Sequence, residues 1–262
     1  MSSAIAQVVA GSAFVIGAAL LAWRYELGLA RPLVTAAVRA GVQLAAVGAL
    51  IALVFRVPVL AIAFVAVMAT TAALTSGSRL RALPAARRAA AVAIAIPALS
   101  ATVILLAVGA FSWTPRAAIP TAGILIGGAM SATTLTGRRL LEALDTGGDE
   151  LETRLSLGDA ARRALAPFTR QAIQTGLIPV IDQTRSVGLV ALPGTFVGLL
   201  LGGASPASAA RLQFTVLVAL LAVELLSAAI VAELIARACI RPGERIVLPA
   251  EAAAAPPAVA PG

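Results

Sequence analysis

The sequence contains no histidine, no lysine and a single cysteine, and only 12% of its 262 residues carry charge. Each shortage removes a class of chemistry. Without histidine there is no Ser-His or Cys-His pair, no imidazole metal ligand and no imidazole proton relay. Without lysine there is no P-loop to cradle nucleotide phosphates, so ATP hydrolysis is not expected in this chain. The sole cysteine, Cys239, allows neither an intrachain disulfide nor a Cys-x-x-Cys metal pair. It reads as a small buried hydrophobe near a helix end. A Gly-x-Ser-x-Gly nucleophile elbow is also missing, and the chain is not expected to be an enzyme.

What the sequence does have is apolar surface. Hydrophobic residues make up 60% of it, and the mean hydropathy is +0.98. Runs of roughly 20 apolar residues recur, enough to cross a hydrocarbon layer of about 30 Å at about 1.5 Å per helical residue. They carry no polar face for water. The expected fold is therefore an all-α integral membrane protein of about seven transmembrane helices. The spans are Ile5 to Trp23, Ala40 to Phe55, Val57 to Ser76, Ala89 to Ala110, Ile119 to Thr136, Val187 to Leu201 (short for a span, so either starting nearer Ile178 or distorted at Pro193) and Leu212 to Ala236. The first is expected to stay as a membrane helix, because no basic residue precedes it as in a secretory leader. One membrane domain is expected over residues 1–245, followed by a disordered Ala/Pro-rich cytoplasmic tail at 246–262.

All 20 cationic side chains are arginine, and the net charge is +8. They are spread among the hydrophobic runs rather than gathered in a patch, which argues against a nucleic-acid partner. Seventeen follow the first, third, fifth and seventh spans, and only Arg56, Arg116 and Arg211 fall in the alternate loops. By the positive-inside rule the N-terminus is outside and the C-terminus cytoplasmic.

The soluble mass is concentrated between the fifth and sixth spans, in a cytoplasmic loop of about residues 138–187. There Leu157, Ala161, Ala164, Leu165 and Phe168 recur at helical spacing, with Arg162, Arg163 and Arg170 pointing elsewhere. Ser156 is a candidate cap, and Pro167 ends this short helix or starts the next one. This predicts a short amphipathic helix, either lying on lipid headgroups or docking into a groove of a soluble partner. Inside the spans, Glu224 near the middle of the seventh is the most exceptional residue, since charge in a bilayer is costly. It calls for an arginine or a translocated cation. Glu233 is closer to the cytoplasmic end and is expected simply to reach water. Arg39 and Gln43 near the start of the second span, Met130 in the fifth and Gln213 in the seventh complete the candidate substrate pathway. Gly123 and Gly127 lie four apart, as do Gly194, Gly198 and Gly202, a spacing that lets membrane helices approach closely.

RAGVQLAAVGALIALVF (39–55), IPTAGILIGGAMSATTLTGRRL (119–140), ETRLSLG (152–158), GLIPVIDQTRSVGLVALPG (176–194) and GGASPASAARLQF (202–214) resemble blocks of the Fet-type permeases. These are bacterial ABC-transporter subunits linked to iron export, related to plant aluminium-tolerance half-transporters. The resemblance implies a bacterial inner-membrane permease, homodimeric, without cofactor of its own, driven by ATP and Mg on a separate cytoplasmic ATPase subunit. It also gives the cytoplasmic helix a role, that of a coupling helix. Glu152 and Gly158 match the glutamate and glycine that such permeases place six residues apart, and Arg162, Arg163 and Phe168 join them as expected ATPase-coupling residues. Two blocks depart from the family. Ala129 and Met130 follow Gly128 where Asn is usual, and Thr195, Phe196 and Val197 follow Gly194 where methionines are usual. Soft and hard metal contacts are thereby lost, and the resemblance speaks for a permease more than for a particular metal. A gradient-driven transporter or channel using Glu224 is the alternative.

Overall fold

The computed structural model describes residues 3–83, 85–241 and 245–247. The expected tail lies almost wholly outside them. The helices are α1 (Ser3–Arg24), α2 (Ala30–Val54), α3 (Pro58–Arg79), α4 (Ala86–Ala107), α5 (Pro115–Thr146), α6 (Gly148–Ser156), α7 (Ala161–Ser186), α8 (Gly194–Leu201) and α9 (Pro206–Cys239). A minimal antiparallel ladder of β1 (Ile240–Arg241) and β2 (Arg245–Ile246) follows α9, so the chain is not purely helical. Two compact units divide at Leu60 and Ala61. The first contains the α1–α2 hairpin.

In the second unit the buried contacts fix the direction of each helix. Met68 lies against Gly123 and Leu80 against Gly137, while the hydroxyls of Ser76 and Thr134 are hydrogen-bonded at 2.9 Å. These pairs make α3 and α5 parallel. Glu224 lies against Gly128, and Ala228 shares a cluster with Ala132, so α9 is parallel to α5 as well. α4 runs the other way, with Ala86 and Ala93 clustering with Leu140 and Leu144, and Ala98 and Leu105 with Ala122 and Leu125. α7 is also antiparallel to α5: Phe168 lies on Gly147, Gly176 on Thr136, and Val180 in the cluster of Ala132.

Six helices are long and apolar enough to cross a membrane, namely α1 to α5 and α9. The expected sixth span at Val187 to Leu201 is not among them. Residues 187–193 form no helix, and α8 has only 8 residues, about 12 Å of rise. The return between the parallel helices α5 and α9 is made instead by α7, the irregular stretch and α8 in succession. The expected loop 138–187 is correspondingly a run of helix: the last turns of α5, then α6, then α7. Pro167 does not terminate a short helix but lies inside α7, as does Pro179. Ser156 is the last residue of α6, and the position before α7 is Ala160, without a side-chain cap.

Candidate functional site

The amphipathic stretch of 157–168 faces its own bundle. Ala164, Leu165 and Phe168 are buried in a cluster with Leu140, Leu144, Val231 and Ile235, Ala161 is fully buried as well, and only Leu157 escapes, at 82% exposure. The apolar stripe is therefore covered neither by lipid nor by a docking partner. Phe168, expected on a docking face, is an internal anchor seated on Gly147. Truncating a buried phenylalanine costs about 3–5 kcal/mol. Phe168→Ala is accordingly expected to lower the melting temperature of the detergent-solubilised chain, whereas a residue used only for docking would leave it unchanged.

Arginines flank this contact. Arg162 on α7 donates to Glu233 Oε1 on α9 at 2.8 Å, and Arg237 donates to the same oxygen at 2.6 Å. Glu233 thus bridges two helices instead of merely reaching water. Arg163 lies 3.8 Å from Asp159 and is otherwise exposed. What remains open at this arginine-rich end is the turn from α6 into α7: Glu152 on α6, then Leu157 and Gly158, all exposed. Gly158 has φ +92°, a left-handed conformation that an L side chain adopts only with strain. A glycine is required there to reverse the chain between the two helices.

A second group of polar side chains lies within the bundle. Glu224 is 7% exposed, and a Cβ built on Gly128 would be 2.6 Å from its Oε1. The missing side chain at position 128 is what makes room for the carboxylate between α5 and α9. The ion pairs of the described residues engage Glu142, Glu150, Glu233, Asp159 and Asp182, and not Glu224. One turn along α9, Ser227 is fully buried, as are Thr133 and Thr136 on α5, and none of these three hydroxyls has a hydrogen-bond partner among the described residues. Four buried polar groups on two parallel helices, without mutual satisfaction, are unusual for a structural core.

Of the other expected pathway residues in this unit, Gln213 does not join them. Gln213 is buried, with Oε1 unpartnered, beside a cavity of about 290 Å³ lined by Val187, Gly188, Leu192, Pro193 and Phe196. It precedes Glu224 by three helical turns, about 16 Å, so the two are not one site. Met130 is half-buried against the cluster of α4 and α5. Arg39 and Gln43 are exposed on α2 in the first unit. Among the described residues no group of three or more Cys, Asp or Glu side chains could hold a metal ion.

The expected glycine contacts divide similarly. Gly123 meets Met68, and Gly202 meets the Gly198 carbonyl of its own α8, whereas Gly127, Gly194 and Gly198 face open space. Close approaches also occur at Gly77, Gly128, Gly137, Gly147 and Gly176, which the four-residue spacing rule did not select. A glycine every fourth residue marks one helix's flat face; a single glycine opposite one bulky side chain leaves no such period.

A family profile described as uncharacterised protein family UPF0014 matches residues 5–240. The rice protein "UPF0014 membrane protein STAR2" is 37% identical over 211 residues, 80% of this chain and 74% of its own length. "Protein ALUMINUM SENSITIVE 3" of Arabidopsis thaliana is 32% identical over 78% of this chain and 75% of its own length. "Probable iron export permease protein FetB" of Escherichia coli K12 is 30% identical over 81% of this chain and 83% of its own length. No solved structure matches.

Proposed function

Because this chain belongs to the UPF0014 family of multi-span membrane proteins, we propose that it is the permease subunit of an ABC transporter of the bacterial inner membrane, exporting a metal ion such as iron. ATP and Mg are bound and hydrolysed on a separate cytoplasmic subunit, and two copies of the permease enclose the pathway. The observation that carries the reading is the exposed turn at Glu152, Leu157 and Gly158. It lies at the arginine-rich, cytoplasmic end. Its apolar tip finds no partner in the bundle, and it connects rigidly to α7 through the Phe168 anchor. A push on that turn is transmitted to α7 and, through Gly176 and Thr136, to α5. Such a shift of packed helices is the form in which nucleotide-driven closure reaches a pathway. The coupling set is therefore Glu152, Leu157 and Gly158, with Arg162 and Arg163 at its border and Phe168 as its internal anchor.

The relative "Probable iron export permease protein FetB" supports the metal, and Glu224 supports a cationic substrate. The test is reconstitution in proteoliposomes with and without the cognate ATPase, with iron(II) as the probe. Export is expected only with ATPase and ATP together. Leu157→Asp is expected to abolish co-purification of the ATPase while leaving the thermal stability of the permease unchanged. Iron movement by the isolated chain down an ion gradient would overturn this reading and favour a secondary transporter.

A further inference from the structure

α7 presents a contradiction. One side is buried through Ala172, Gly176, Leu177 and Val180, but the other exposes Gln171, Gln174, Asp182 and Arg185 with Ile178 and Ile181 among them, and Gln183, in line with Gly176, is exposed beyond the packed stretch. The depth of these residues follows from their neighbours. Gly176 lies against Thr136, two residues before Arg138, the first charge at the arginine-rich end of α5. Beyond that level α7 continues alongside the apolar parts of α5 and α9, because Leu177 and Val180 cluster with Ala132 and Ala228. Asp182 is six residues past Gly176 and Arg185 nine, so they lie about 9 and 14 Å into a hydrocarbon layer of about 30 Å. Both are well exposed, with their charged groups 3.7 Å apart.

Ile178 and Ile181 would tolerate lipid, but Asp182 and Arg185 would not. Charged side chains at membrane depth turn toward a bundle interior or a water-filled cavity, and Asp182 and Arg185 are too deep for their stems to return them to the headgroups. The chain also leaves helical conformation immediately afterwards, at 187–193. Irregular backbone at such depth persists only inside protein or along an aqueous space. A third observation is the groove of about 680 Å³ between α5 and α7, lined by Arg139, Glu142, Gln171, Thr175, Ile178 and Pro179. It begins at the arginine-rich end and leads toward the polar face.

We infer that this face of α7 is the wall of a water-filled vestibule, which enters the bilayer from the arginine-rich side and ends about halfway across at the Asp182–Arg185 pair. Water solvates Gln171 and Gln174 at its mouth. At its closed end the ion pair presents one carboxylate and one guanidinium to whatever hydrated ion arrives. The inference deepens the permease reading by naming a wall of its pathway, and rests on that reading only for what the vestibule carries.

The experiment reads water rather than transport, so it can fail while ATP-driven export stands, and the reverse. In a Cys239→Ser background, the full chain in native membranes carries one cysteine at a time: Gln174→Cys, Asp182→Cys, Gln183→Cys or Arg185→Cys. Leu157→Cys, in membranes from cells lacking the ATPase, serves as the aqueous reference. Leu226→Cys, on an exposed apolar part of α9, serves as the lipid reference. The probe is the charged thiol reagent MTSET, applied to both faces. The reactive species is the thiolate, which does not form in hydrocarbon. The α7 cysteines are therefore expected to react within about tenfold of Leu157→Cys and at least about a hundredfold faster than Leu226→Cys. Gln174→Cys and Gln183→Cys break no ion pair, so they carry the result if the charged positions do not accumulate. Rates equal to that of Leu226→Cys would overturn the vestibule. So would spontaneous disulfides between copies at positions that MTSET fails to reach, since they would mean a dry protein interface.

Discussion

Gly176→Leu is expected to prevent the second unit from folding, and Gly176→Ala to weaken it measurably. A Cβ at position 176 would overlap Thr136 Oγ1 and lie 3.1 Å from Thr136 Cα and 3.2 Å from its Cβ. Two of the three obstacles belong to or adjoin the backbone of α5, so a rotamer change does not remove them. Nor can α7 simply retreat, because Ala172, Leu177 and Val180 are buried on the same face. Overpacking of this kind costs about 1–3 kcal/mol for a small increment, and a 200-residue unit loses about 2–4 °C of melting temperature per kcal/mol. Thermal unfolding in detergent should thus show Gly176→Ala melting several degrees low, with Gly176→Leu failing to accumulate. The double variant Gly176→Ala with Thr136→Ala separates the causes. Thr136→Ala alone deletes an unpartnered buried hydroxyl and costs little, and in combination it should restore the hydroxyl's share of the loss but not the backbone's. Gly198→Ala is the control: nothing lies within 4 Å of that position, and alanine gains up to about 1 kcal/mol of helix propensity. Equal stability of Gly176→Ala and Gly198→Ala would mean that α5 and α7 are not packed in this register.

The same contact shows where the sequence was readable and where it was not. Hydropathy reports what faces lipid. It located α1, α3 and α4 within about three residues at either end and the apolar cores of α2, α5 and α9, each of which extends further in the structure. α2 begins at Ala30 rather than Ala40, because arginines at 31 and 39 do not stop a helix even though they interrupt an apolar run. Hydropathy does not report burial against other helices. α7 carries five charged residues and two internal prolines, so its alternation suggested a surface helix, yet its small and apolar residues fit between α5 and α9. Conversely, 187–201 is apolar enough to look like a span, but Gly188, Pro193 and Gly194 divide it, and Leu189 and Val190 are exposed at 91% and 85%. For the site, Glu224 stood out because one carboxylate in an apolar run is conspicuous. Its partner position Gly128 did not, since the only signal is the absence of a side chain. Thr133, Thr136 and Ser227 were equally hidden: a membrane helix often carries hydroxyls that bond to their own backbone, as Thr102 does to Ala98 at 2.7 Å. Only coordinates reveal the ones that do not.

Glu224→Gln is expected to abolish transport without loss of the fold. Glutamine has nearly the same volume, so the space opposite Gly128 stays filled. Removing an uncompensated carboxylate from an apolar bundle relieves a cost rather than adding one. The chain should therefore accumulate in the membrane, melt no lower than the parent, and retain the ATPase. What disappears is the charge that attracts a cation halfway along α9. The corresponding loss in ATP-driven iron(II) export is at least about tenfold, or 1.4 kcal/mol of barrier. A variant on the facing helix tests the same atoms from the other side. Gly128→Ala places a methyl group against Leu220 Cδ1 and 2.6 Å from the present position of Glu224 Oε1, so it shifts the carboxylate together with Leu220 while leaving the charge intact. If the charge acts in place, both variants lose export, one through charge and the other through position. If Glu224 merely fills space, Gln is silent and only Gly128→Ala has an effect, through stability. Full export by Glu224→Gln, measured per assembled permease, would remove Glu224 from the pathway.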